Sequence, residues 1–211
     1  DAPWCGPATK ATPMATARPD PNPSPESAER FLRRCHRRLE TVATTDEARE
    51  GAAALAAAID RAEPREHRSS WLPVLDSVDQ LDPIGRRTAH DRPGHDLVAD
   101  LADLVPHLPW VPTHRATDGG TELALAPFDR VFDLDRTVVG LMYIGPGATY
   151  PLHHHPPQEL YLTIAGQGRW RYGGHDGFET VGPGRTLYNN PGDLHSAVAG
   201  PRPVVALYVL W

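Results

Sequence analysis

The chain has 211 residues, room for one large domain or one domain with a helical appendage, and 40% of them are hydrophobic, enough to bury a core. Its net charge of −6, with Lys and Arg scattered, excludes the clustered basic footprint of a nucleic-acid binder. No apolar run is long enough to span a bilayer, and two cysteines, Cys5 and Cys35, are too few for a disulfide framework and too far apart for chelation.

Residues 1–25 are rich in Pro, Ala and Thr, bury little beyond Trp4 and Met14, and are expected to form a flexible segment. From Glu26 the pattern turns helical, with Phe31, Leu32, Cys35, Leu39 and Val42 on one face. Cys35 is expected to be buried and inert on that face. Arg33, Arg34, Arg37 and Arg38 read as its solvated face. Thr44 followed by Glu47 resembles a capping box for a second helix. That helix buries Ala48, Ala52, Leu55 and Ile59, runs to about Ala62 and is stopped by Pro64. An irregular stretch from Ser70 to Pro93 follows, then a short helix over Asp96–Leu104 ended by Pro106 and Pro109. The helices of 26–110 are expected to pack as a cap on what comes next.

After Trp110 helical periodicity vanishes. β-rich runs appear at Thr121–Leu125, Thr137–Ile144, Glu159–Ile164, Gly168–Tyr172, Arg185–Tyr188, Ser196–Ala199 and Val204–Trp211, separated by Gly, Pro, Asn and Asp. Many short strands at this spacing predict an all-β sandwich or barrel over 111–211. No basic region followed by an apolar core opens the chain at Asp1, and a cytoplasmic location is expected.

The informative stretch runs from Gly147 to Gly166. His153 and His155 are two apart, so a strand puts both imidazoles on one face, and Glu159 shares their parity once Pro156 and Pro157 have bent the chain. Two imidazoles and a carboxylate suit a first-row divalent ion. His195, after the turn Asn190-Pro191-Gly192-Asp193, can bring a fourth ligand from a neighbouring strand. His154 has the opposite parity and points away. Chance surface histidines are the bland alternative, but the run is internal to a strand-rich segment and not terminal. His175 reads as solvated, and His36, His67, His90, His95, His107 and His114 lack ligand spacing.

These residues resemble the cupins. Gly147, His153, His155, Glu159 and Gly166 fit their first motif without a gap, and Gly184, Gly192 and His195 fit the second. Asn190 stands where Pro is usual and Ala199 where the final Asn is usual, a departure that touches turn geometry and not the ligand. The resemblance implies a mainly β protein: a double-stranded β-helix (jelly-roll) barrel with an N-terminal helical region. It implies one divalent metal ion, Zn, Fe, Mn, Ni or Co, held by His153, His155, Glu159 and His195. Adding Tyr150 and Tyr161, the pattern Tyr-x-x-His-x-His-x-x-x-Glu-x-Tyr is similar to the cupin-type dimethylsulfoniopropionate (DMSP) lyases. That likeness implies cleavage of DMSP to acrylate and dimethyl sulfide, with both tyrosines in the active site.

The chemistry also stands on its own terms. β-Elimination removes a weakly acidic proton beside a carboxylate, and a bound divalent ion stabilises the charge that develops. Tyr161 shares the ligands' face and is the expected base; Tyr150 could hydrogen-bond the substrate or serve as an alternative base. Aromatic faces attract a sulfonium cation, so some of Tyr143, Trp170, Tyr172, Tyr188 and Trp211 are candidates for a cage beside their role as core fillers. Three other readings stay open: an Fe(II) dioxygenase on the same barrel, a lyase for another small carboxylate, and a non-enzymatic small-acid-binding cupin. A small molecule is the expected partner, with neither nucleic acid nor membrane, and the chain is expected to be a monomer or homodimer.

Overall fold

The computed structural model describes residues 25–66, 95–113 and 122–211. The expectations for residues 1–24 with Cys5, for the irregular stretch 70–93, and for His67, His90 and His114 lie outside the described residues.

Among the described residues three α-helices precede the barrel: α1 (Pro25–Val42), α2 (Asp46–Asp60) and α3 (His95–Leu104). Helix α1 buries Ala28, Phe31, Leu32, Cys35 and Leu39, a stripe at helical spacing. Burial pushes the Cys35 thiol up, with Asp100 adding to it, so the side chain is not a nucleophile. The arginine face does more than meet solvent. Arg33 lies 2.8 Å from Glu29 and 3.1 Å from Asp60 on α2, and Arg34 lies 2.6 Å from Asp100 on α3. The first two pairs are exposed and each adds only about 0.2–1 kcal/mol. Helix α2 starts one residue later than Thr44 suggested. Thr45 is extended (φ −100°, ψ 161°) and its Oγ1 accepts from Ala48 N at 3.2 Å. Three residues on from Thr45 stands Ala48, not Glu47, so no reciprocal capping box forms. The helix also ends before Pro64, at Arg61, and Pro64 belongs to a strand. No described helix is long and apolar enough to cross a membrane.

All strand pairings are antiparallel among the described residues. A six-stranded sheet runs in the order β10 (Thr186–Asn189), β7 (Glu159–Ala165), β12 (Val204–Leu210), β5 (Val138–Ile144), β3 (Leu123–Pro127), β2 (Val111–Pro112). A four-stranded sheet runs β6 (Thr149–His153), β11 (His195–Ala199), β8 (Gly168–Arg171), β9 (Glu179–Val181). A small pair joins β1 (Glu63–Pro64) to β4 (Phe132–Asp133), tying the end of α2 to the barrel. The short strands β1, β2, β4 and β9 carry too few apolar residues to be read from periodicity.

Two cores divide the six-stranded sheet between them. On β5 and β12, Val139, Leu141, Tyr143, Val205, Leu207 and Val209 pack toward α1, α2 and α3. Met142, Ile144, Val204, Ala206 and Tyr208 face the barrel interior. The same alternation on β7 sends Leu160, Leu162 and Ile164 to the helices and Tyr161 inward. A strand buried on both faces reads as a continuous apolar run, which is why β7 shows seven buried residues in a row. Helix α2 seats directly on this strand: a Cβ on Gly51 would meet the Trp211 ring at 2.7 Å and Leu160 at 2.8 Å. Inside the barrel Tyr208 lies over Gly140, its register partner, where any side chain would collide with the phenol.

Loop glycines set the turns that pass the chain from one sheet to the other. Gly166, between β7 and β8, has φ 76°, and a Cβ there would overlap the Pro203 carbonyl oxygen. Backbone strain and steric overlap act together, so Gly166→Ala is expected to destabilise the fold by about 2 kcal/mol or more. The check is a lower urea midpoint with an unchanged slope.

Candidate metal centre and active site

Three imidazoles converge at one mouth of the barrel. His153 closes β6 and His195 opens β11, and the two are register partners. His155 lies past the end of β6, where Pro156 and Pro157 turn the chain, and its carbonyl accepts from Gly192 N at 2.9 Å. The Asn190–Asp193 turn thus clamps the first motif to the second. His154 is exposed and turned away. The ligand-competent nitrogens of His153, His155 and His195 all lie within 4.8 Å of one another.

Their tautomers follow from their partners. Nδ1 of His153 faces Pro151 O at 2.8 Å, Nδ1 of His155 faces Pro157 O at 3.1 Å, and Nδ1 of His195 faces Asp193 O at 2.8 Å. A carbonyl only accepts, so each Nδ1 carries the proton and each neutral ring presents the Nε2 lone pair. This backbone fixing of the distal nitrogen is the arrangement that orients metal-ligating histidines.

Glu159, at the start of β7 and 3% exposed, adjoins them. Its Oε2 lies 3.2 Å from His155 Nε2 and 3.1 Å from His195 Nε2. His195 Nε2 is nonetheless a buried atom with no hydrogen-bond partner. Two imidazole lone pairs and a carboxylate oxygen, all acceptors, repel unless positive charge sits among them. Burial pushes the Glu159 carboxyl up, but where a proton takes the place of an ion on Nε2, His155 and His195 donate to the carboxylate, outweigh burial and hold the group at about 2. The anion is therefore present throughout the neutral range, and the donor set of imidazole and carboxylate fits a divalent transition ion.

Tyr161 and Tyr150 open on the same cavity. This small pocket is lined by these two residues with Trp170, Tyr172, Asn189 and His195 among others. The Tyr161 ring centroid is 6.4 Å from that of His195 and 5.3 Å from that of Trp170. Tyr150 stands edge-on to His153 at 4.9 Å. Burial first, then the Glu159 carboxylate, pushes the Tyr161 phenol well above its ordinary value.

Of the aromatics considered for a cage, Trp170 and Tyr172 line the cavity. Tyr143 does not: its parity on β5 turns it to the helical core, edge-on to Trp110 at 6.4 Å. Tyr188 and Trp211 also lie on the helix side, 6.1 Å apart. Two polar residues escape the motif reading. Asn189, 1% exposed, pairs in register with Glu159, donates Nδ2 to Glu159 Oε2 at 3.2 Å and accepts from Gly173 N at 3.0 Å. Ser196 donates Oγ to the Tyr150 carbonyl at 2.9 Å. Only strand register reveals either.

The barrel, its motif glycines and the histidine cluster define a cupin with a metal-competent centre. The sequence model of the dimethylsulfoniopropionate lyases matches residues 46–206, and the chain belongs to that family. It is 34% identical over 80 residues to dimethylsulfoniopropionate lyase DddQ of Ruegeria pomeroyi, a match covering 38% of this chain and 39% of that protein. Among solved structures, a chain from the DMSP lyases RdDddP and RnDddQII superposes with a TM-score of 0.67 at 20% identity, over 89% of this chain and 93% of the other. The Ruegeria pomeroyi DddQ structure gives a TM-score of 0.60 at 21% identity, over 72% and 77%. These likenesses establish a shared fold.

Proposed function

We propose that the protein is a metal-dependent carbon–sulfur lyase that cleaves dimethylsulfoniopropionate to acrylate and dimethyl sulfide, with Tyr161 as the base. The observation that carries this reading is the meeting of Tyr161 and Tyr150 with His195 around one small pocket, with His195 at the same time a member of the three-histidine cluster. Family membership supplies the substrate.

His153, His155, Glu159 and His195 would hold the ion. When bound it supplies Lewis-acid charge that stabilises the developing enediolate and favours the Tyr161 phenolate. Tyr161 Oη takes the proton from the carbon beside the substrate carboxylate. That C–H pair becomes the carbon–carbon double bond, the Cβ–S bond breaks, and its pair leaves on sulfur. Dimethyl sulfide departs neutral, so no acid is needed at the leaving group. Tyr150, against His153, hydrogen-bonds the substrate carboxylate. The faces of Trp170 and Tyr172 contribute cation–π attraction to the sulfonium. Asn189 keeps Glu159 oriented through a donated hydrogen bond.

Metal-loaded protein mixed with DMSP is expected to release dimethyl sulfide and acrylate in equal amounts without consuming oxygen. Oxygen uptake in place of dimethyl sulfide would instead identify a dioxygenase on this barrel.

A further inference from the structure

Tyr150 and His153 are three residues apart on β6. On a regular strand that spacing sends side chains to opposite faces. Here the two rings meet at 4.9 Å and Tyr150 is 7% exposed, inside the barrel. The register with β11 explains how. His153 pairs with His195 and Tyr150 with Ala197, so three steps on β6 match two on β11. Strand β6 therefore carries one extra residue, a bulge at Pro151–Leu152 opposite Ser196.

A bulge costs ladder hydrogen bonds, and this one contains a proline with no N–H to give. Side chains make up the loss. Ser196, 6% exposed, donates Oγ to the Tyr150 carbonyl at 2.9 Å. On the other side of the bulge, His153 Nδ1–H donates to the Pro151 carbonyl at 2.8 Å. Leu152 is turned out, 49% exposed. Both ends of the irregular segment are thus fastened, one by a hydroxyl from the facing strand and one by the His153 ring.

We propose that Ser196 is a positioning residue for the lyase reaction: its hydroxyl pins the β6 bulge and so aims the Tyr150 phenol at the substrate beside His153. The inference rests on the reading of Tyr150 as a substrate-contacting residue. Ser196 acts through the Tyr150 backbone and not on the substrate.

A double-mutant cycle tests it, with kcat, KM, metal content and Tm measured on purified protein. Ser196→Ala is expected to lower kcat/KM by about 10- to 100-fold, the scale set by misplacing a reacting group by about 1 Å. Metal content stays at the wild-type level. Ser196→Thr, which keeps the hydroxyl, restores most of the loss. In a Tyr150→Phe background, Ser196→Ala produces no further fall. If Ser196→Ala unfolds the protein, Ser196→Cys, of similar size and a weak donor, is read in the same cycle.

An equal fall in the Tyr150→Phe background, or loss of metal, would show that Ser196 acts through His195, and the inference fails. A Ser196→Ala enzyme at full speed beside a slow Tyr150→Phe enzyme overturns this inference alone. A Tyr150→Phe enzyme at full speed overturns the reading of Tyr150 and the inference with it.

Discussion

Replacing Tyr161 with phenylalanine is expected to reduce DMSP turnover by about 10²–10⁴-fold, the usual contribution of a positioned general base. Metal content and fold are expected to survive. Tyr161 is paired in register with Tyr208 on the neighbouring strand and packs on Trp170 at 5.3 Å, contacts that a phenyl ring keeps. What Tyr161→Phe removes is one oxygen in a buried site. Burial and the Glu159 charge oppose the phenolate, so proton acceptance at Tyr161 depends on compensating positive charge close by. The pH profile carries the same information. An acid limb of kcat/KM belonging to Tyr161 should move upward when the cation is exchanged for a weaker Lewis acid. A Tyr161→Phe enzyme that retains full turnover would transfer the base role elsewhere, with Tyr150 the first candidate.

Replacing Glu159 with alanine is expected to weaken metal binding by about 100-fold or more and to abolish turnover. Glu159 brings the cluster its negative charge; it lies against His155 and His195 and accepts a hydrogen bond from Asn189. Removing it leaves neutral imidazoles and an Asn189 amide donor without its acceptor, in a position that is 1% exposed. An unpaired buried donor costs about 1–3 kcal/mol. Glu159→Gln separates charge from shape: it keeps the volume and is expected to bind metal nearly as poorly as Glu159→Ala. The sign with pH is fixed by the depressed carboxyl, held at about 2. A carboxyl lowered in the folded state stabilises the fold above its ordinary range, and that contribution disappears as pH falls toward 2. Elemental analysis after dialysis reads the metal effect; a Glu159→Ala protein with unchanged occupancy would remove Glu159 from the ligand set.

Much of the site could be read along the sequence because its key spacings are local. His153, His155, Glu159 and Tyr161 fall within nine positions, and the alternation of β7 carries Glu159 and Tyr161 to one face whatever the rest of the chain does. Gly147, Gly166, Gly184 and Gly192 fit the two motifs, and all four take positive φ in turns that pass the chain between the two sheets. What was not legible depends on which strand lies beside which. Asn189 matters because β10 pairs with β7 so that it faces Glu159. Ser196 matters because β6 gains a residue against β11. The aromatics Tyr143, Tyr188 and Trp211 look like cage candidates by composition, yet the sheet has two buried faces and they occupy the helical one. The α2 start is a smaller case: Thr44 and Thr45 are both good caps, and backbone conformation chose the second.

Chelation followed by re-metallation, with headspace dimethyl sulfide measured at each stage, tests the central claim most directly. The account predicts that metal-loaded protein evolves dimethyl sulfide from DMSP, that removing the ion abolishes release while the fold persists, and that one equivalent of a divalent transition ion restores it. Undiminished release from protein shown by elemental analysis to be free of metal, or no release from protein carrying a full equivalent, would contradict it.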